Sequence, residues 1–151
     1  MKLTNEGLKA REAWLEKGVR LPEYDRAKMV RATLAAPMWI HFGAGNIFRG
    51  FIAGLQQRLL NAGLSDRGII AAETFDHEII DRIYSDFDQL TLNVLLNPDG
   101  TTTKEVLAGV AEGVKADFAM SSAQFGNASG SIAVKGQMFC AQTNLATMWF
   151  D

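Results

Sequence analysis

Apolar positions along this chain change period several times, and each change marks an expected element. Residues 5–18 predict a helix on composition, but the apolar side chains split: Leu8 and Leu15 share one stripe, while Ala10, Ala13 and Trp14 fall roughly opposite. Gly18 is the expected stop. In LPEYDRAKMVRATLAAP, Pro22 opens a second short helix and Pro37 closes it. Met38 to Phe42 form an apolar run too brief for a helix and read as a buried strand. From Asn46 to Ala62, the residues Ile47, Phe48, Phe51, Ile52, Leu55, Leu59 and Leu60 recur at i, i+3, i+4, i+7. That spacing predicts a helix with one buried face, ended by Gly63. Gly68 to Glu73 read as the next strand, and Asp76 as the cap of a helix through HEIIDRIYS. Strand, helix, strand, helix is the α/β order.

The rhythm then shifts. Two strand-like runs flank Asn97-Pro98-Asp99-Gly100, which predicts an antiparallel hairpin. Ala111 to Ala116 read as a short helix, and SIAVKGQMFCA further on as a strand. The chain divides into a helical lead-in (1–37), a partial nucleotide-binding unit (38–118) and a tail (119–151). The tail holds two charges, Lys135 and Asp151, of the 15 basic and 17 acidic residues in the chain. A solvated surface carries more charge than that.

Composition narrows the class. The chain has 151 residues, 48% hydrophobic and 21% charged, with a net charge of −2. These values suit one soluble globular domain and give no basic surplus for nucleic acid. The charged N-terminus lacks the apolar core of a signal peptide, and no apolar run approaches membrane-spanning length. A single cysteine, Cys140, forms no internal disulfide, so the expected compartment is the cytoplasm. No His, Cys, Asp or Glu grouping has metal-ligand spacing.

The chemistry concentrates in HFGAGNIFRG. Gly43-Ala44-Gly45 follows a strand and opens a helix, the setting in which such glycines bind a dinucleotide. The first allows the tight turn; the second lets a pyrophosphate approach the backbone at a helix N-terminus. The third glycine of the fingerprint is replaced by Phe48, which implies a shifted helix or a ring aimed elsewhere. Arg49 either meets a phosphate or is a solvated helix residue. The acid expected after the second strand is Glu73 or Asp76, either of which could accept bonds from a ribose and would favour NAD over NADP. His41 reads as a packing residue, His77 as solvated, Tyr24 as a packing anchor, and Lys104, Lys115 and Lys135 as surface residues. Trp14, Trp39 and Trp149 define no binding box.

Gly43, Gly45, Asn46, Ile47 and Arg49 resemble the nucleotide-binding turn of the polyol-specific long-chain dehydrogenases: mannitol dehydrogenase, mannitol-1-phosphate dehydrogenase and the fructuronate and tagaturonate reductases. Phe48 falls on that pattern's variable position. LPEYDR and LTLNVLLNPDGTTTKEVLAGVAEGV are similar to the lead-in and hairpin insertion of the mannitol and hexuronate branch, so the likeness covers roughly residues 15–118. It implies an incomplete Rossmann-like domain and an NAD site at Gly43, Ala44, Gly45, Asn46, Ile47, Phe48 and Arg49. It also implies a polyol or hexuronate as substrate of the whole enzyme. The family's catalytic lysine, with its asparagine and histidine partners, lies in a C-terminal domain to which nothing here corresponds, so no catalytic residue is expected in this chain. The family's pattern is expected to end near Ala119, with an unrelated tail such as a frameshift would give. The competing readings are a non-enzymatic module that self-associates through an open sheet edge, and a remnant that binds no nucleotide.

Overall fold

The computed structural model describes residues 1–116 and the backbone of two further strands, Met138–Ala141 and Leu145–Trp149. Residues 131–137 of the expected tail strand, with Lys135, lie outside the described residues; its Met138–Ala141 portion is a strand.

The N-terminal helix is broken in two. A 3₁₀ turn at Gly7–Lys9 precedes α1, Arg11–Leu15, with Ala10 non-helical between them. The break turns Trp14 inward, where its indole N–H donates to the Gly7 carbonyl at 2.9 Å, and leaves Leu15 exposed. Gly18 ends the segment at φ +69°, and β1, Val19–Arg20, follows. α2, Arg26–Ala35, starts later than Pro22 suggests, because the Asp25 carboxylate caps it by accepting from the Lys28 N–H at 2.9 Å.

The expected strand–helix–strand unit is present. β2, Trp39–Phe42, leads into a helix over 46–61, which opens with a wide π turn at Phe48–Ile52 and continues as α3, Ala53–Asn61. β3, Ile69–Glu73, returns parallel to β2 and is buried along its whole length. The following helix runs through α4, His77–Ile79, a π turn at Ile80–Tyr84 and a 3₁₀ turn at Ser85–Phe87. β4, Thr91–Leu96, and β5, Thr102–Leu107, form the expected antiparallel hairpin, closed by the Asn97 N–H donating to the Thr101 carbonyl at 2.9 Å.

Residues 111–116 are not the expected helix. Residues 111–115 lie in β6, Val110–Lys115, which pairs parallel with β3 in the register Ala71 to Gly113, and Ala116 follows it. Helix-forming composition is a weak prior; here it loses to five backbone-paired positions and to Gly113, where a Cβ would stand 3.0 Å from the Tyr84 ring. β6, β3 and β2 make three parallel strands in the order 3-2-1 of the first half of a doubly wound sheet. On the other side of β2 runs β8, Leu145–Trp149, antiparallel, followed outward by β7, Met138–Ala141. This edge of β2 is therefore paired. A separate three-stranded sheet, ordered β1-β5-β4, carries the N-terminal helices on a core of Trp14, Val19, Leu21, Leu90, Val106 and Ala108.

Only part of the apolar series predicted for the helix over 46–61 faces inward: Phe48 and Leu60 are buried and Ile52 is half-buried. Phe48, Ala53, Gly54, Gln56, Gln57 and Leu60 are buried, while Ile47, Phe51, Leu55 and Leu59 are exposed. Gln57 makes this possible. Its Nε2 donates to the Val106 carbonyl at 2.8 Å and its Oε1 accepts from the Ala108 N–H at 2.7 Å, tying the helix to the end of the hairpin. Replacing it, as Gln57→Leu, would leave both backbone groups buried without a partner, at about 2 kcal/mol or more in total. Urea unfolding should show that loss; an unchanged midpoint would mean that water replaces the amide.

Candidate functional site

The site forms where β2 ends. The chain reverses through Gly43, whose φ of +100° a side-chain-bearing residue adopts only with strain. The Gly43 N–H donates to the Ala72 carbonyl at 2.7 Å, which keeps the turn tied to β3. Ala44 is fully buried and held at both ends of its backbone. Its N–H donates to Glu73 Oε2 at 2.8 Å; its carbonyl accepts from the Tyr84 hydroxyl at 2.9 Å and from Arg49 Nη1 at 2.8 Å. Gly45 comes next, and a Cβ built there would meet nothing within 4 Å. The helix begins at residue 46, so its free N–H groups and partial positive charge lie beside this open space.

Of the two candidate acids, Glu73 bonds the turn through its carboxylate, while Asp76 joins it through a backbone N–H on Glu73. Glu73 is 7% exposed. Its second oxygen, Oε1, accepts from the N–H groups of Thr74 at 2.9 Å and Phe75 at 3.0 Å. Burial pushes the carboxyl pKa up, but the backbone donors of Ala44, Phe75, Thr74 and Asp76 outweigh burial and hold it below the ordinary value. Glu73 is therefore a buried, ionised group braced against the glycine turn. Asp76 occupies the N-cap position of α4, yet its side chain makes no capping bond and it is exposed, contrary to the capping role expected of it.

The remaining turn residues divide by role. Arg49 is not a solvated helix residue: it folds back on the Ala44 carbonyl, donates to the Asn46 side-chain oxygen and lies 5.9 Å from the Tyr84 ring centroid. Asn46 and Ile47 are exposed at the helix start. Phe48 is 1% exposed and stacks on His41 at 4.4 Å, with 14° between the rings. This is how the helix tolerates a phenylalanine where the fingerprint has glycine. The ring fills the gap between helix and strand, and the backbone widens into the π turn over Phe48–Ile52. His41, in turn, is fully buried, and burial pushes its pKa down to about 4, so it is neutral at pH 7 and packs as expected.

Tyr84 is the site residue that sequence reasoning misses. Ile80 and Tyr84 lie four apart on the buried side of their helix, so a hydroxyl on an otherwise apolar stripe was the available signal. A cavity of about 600 Å³ between the N-terminal helices and α2, lined in part by Leu8, Arg11, Leu21, Tyr24 and Val30, shares no residue with the turn. Among the described residues no cluster could hold a metal ion, and no helix is long and apolar enough to cross a membrane.

The Glu73 brace has a pH signature. Its folded pKa lies below the unfolded value near 4.5, so its contribution is complete above about pH 4.5 and is lost as the pH falls through the folded value. Glu73→Gln should cost about 2 kcal/mol at pH 7, and its stability should fall less than the wild type's between pH 5 and pH 3. Urea unfolding at several pH values measures both; parallel acid limbs would remove the brace from the account.

No family model matches this chain. It is 44% identical over 117 residues to the D-mannonate oxidoreductase of Thermotoga maritima, a match that takes in 78% of this chain and 22% of the relative. Its fold is similar to that of the mannitol 2-dehydrogenase of Pseudomonas fluorescens, solved as a ternary complex with NAD and D-mannitol. The TM-score is 0.60 at 21% identity, over 76% of this chain and 22% of that one. A substrate-free D-sorbitol dehydrogenase gives a TM-score of 0.54 at 22% identity, over 65% of this chain and 19% of that one. This chain thus spans about a fifth of the length of the relatives it matches. The glycine turn, the parallel three-strand order and the extended identity agree in likening the matched residues to the N-terminal part of the polyol dehydrogenases.

Proposed function

We propose that this chain is the NAD(H)-binding N-terminal portion of an oxidoreductase that interconverts a sugar alcohol or aldonate with its ketose or keto-acid. The observation that carries the reading is the pairing of a rigid turn with open space. Ala44 is locked by Glu73, Tyr84 and Arg49, and the next residue, Gly45, has nothing in front of it. A pyrophosphate suits that position, since only a residue without Cβ lets it reach the helix N-terminus. Gly43 shapes the turn, Asn46 and Ile47 border the phosphates, and Phe48 and Arg49 support from below. Glu73 Oε2 takes one bond from Ala44 and keeps acceptor capacity for a ribose hydroxyl. Asp76, exposed three residues on, is the second acid proposed to meet the ribose.

Bound there, the dinucleotide supplies the hydride acceptor or donor. The chain's own contribution is to hold and orient its ADP-ribose half. Proton transfer and substrate recognition fall to residues beyond the portion of the family matched here. The 44% identity to a D-mannonate oxidoreductase makes an aldonate the favoured substrate class for the complete enzyme.

Calorimetric titration of the chain tests this. NADH and ADP-ribose should bind with similar affinity, and the absence of binding by either would refute the proposal. Gly45→Ala places its methyl in open space, so the melting temperature should hold while NADH affinity falls at least about tenfold, or about 1.4 kcal/mol. A second titration concerns cofactor choice. The fixed charge of Glu73 should repel a 2′-phosphate, so NADPH should bind at least about tenfold more weakly than NADH; equal affinities would take Glu73 out of the ribose subsite.

A further inference from the structure

The cavity of about 600 Å³ beside α2 lies at the seam between two hydrophobic cores. Leu8 and Leu21 belong to the core under the small sheet, while Tyr24 and Val30 pack on the core of Met29, Leu60 and Ala111. Residues 21–26 cross the seam, so both apolar walls and the start of α2 open onto one space. Its volume is that of a small-molecule site.

The charge around this space is of one sign. Lys9, Arg11 and Arg26 line it, and among the described residues no acid does. Lys9 is paired with Glu6 at 2.5 Å on the exposed side. The two arginines meet neutral acceptors instead. Arg11 Nη1 donates to the Pro22 carbonyl at 3.3 Å. Arg26 donates to the Asn5 side-chain oxygen at 2.8 Å and to the Asp88 and Val110 carbonyls at 2.7 and 3.3 Å. Its Nε is buried and finds no hydrogen-bond partner among the described residues. The Asp88 carboxylate is turned away to accept the Asn5 N–H at 2.7 Å. Burial lowers the pKa of Arg26 below the ordinary arginine value, and the smaller opposing effects of Tyr24 and Asp88 do not cancel it. Arginine stays cationic all the same, so a positive charge is held here without a matching anion.

We propose that this cavity binds a small molecule with one carboxylate on an apolar body, the carboxylate meeting Arg11 and Arg26 and the body lying between Leu8, Leu21 and Val30. An arginine fork matches a carboxylate in shape and charge. The aliphatic walls give a sugar hydroxyl nothing to bond, and burying one unpaired is costly, so the ligand is of a different class from a polyol. No residue is shared with the glycine turn, and the inference does not rest on nucleotide binding.

Backbone amide NMR of the 151-residue chain tests the site with hydrocinnamate as probe. Its titration should give saturable shifts at Leu8, Ala27 and Val30 and none at Gly43 or Gly45. Hydrocinnamamide keeps the body without the charge, and inorganic phosphate keeps only an anion; each should bind at least about tenfold more weakly. Arg11→Gln removes an exposed cation, and Ala27→Trp crowds the cavity from an exposed position, so both variants should keep the rest of the spectrum. Each should weaken hydrocinnamate at least about tenfold. The proposal is overturned by the absence of saturable shifts at the lining residues, by equal affinity for the amide or for phosphate, or by unchanged affinity in either variant. Shifts confined to the exposed Ile47, Phe51 and Leu55 would overturn it too, since the apolar body alone would then select the surface.

Discussion

The backbone of Ala44 is fixed at both ends, and the arrangement around it depends on that. An ionised carboxylate accepts its N–H, while a phenol and a guanidinium donate to its carbonyl. These three side chains come from the end of β3, from the helix after it and from the helix after the turn, so three separate elements meet on one residue. The Glu73 and Tyr84 bonds are buried, where a missing partner would cost more than the bond itself contributes, and the Arg49 bond is half-buried. The clamp also keeps Glu73 charged: its backbone donors more than offset the penalty of burial. Rigidity at Ala44 is what leaves Gly45 and the helix start pre-organised, and a site that needs no rearrangement spends less of its binding energy on ordering.

The same economy explains the helix. Phe48 takes the place of a glycine and would push a regular helix off the sheet; the π turn absorbs the extra bulk while His41 receives the ring. Once the helix is set by Phe48, Gln57 and Leu60, its most regular apolar series faces outward. Two glutamines then do the inward work by bonding to backbone groups. For Gln57 these belong to the hairpin, at Val106 and Ala108.

Local signals marked most of the elements. Pro37 and Gly43 bracket β2, and the Asn97–Gly100 turn marks the hairpin, because those residues restrict the backbone by themselves. The glycine turn was legible for the same reason, and its Gly43 conformation requires glycine. Glu73 and Asp76 could not be separated from sequence, since both follow the same strand and only its register decides which carboxylate meets Ala44. The strand over residues 110–115 was misread because its neighbours β3 and Tyr84, distant in sequence, outweigh its helical composition.

The sequence by itself determined the α/β order, the turn that reverses after β2 and the resemblance to the polyol dehydrogenases. Each depends on residues close together along the chain. Tertiary structure decided which acid braces the turn, that Tyr84 belongs to the site, which face of the helix is buried and that β8 pairs with β2. Those outcomes depend on contacts between segments dozens of residues apart, where packing and hydrogen-bond satisfaction override periodicity.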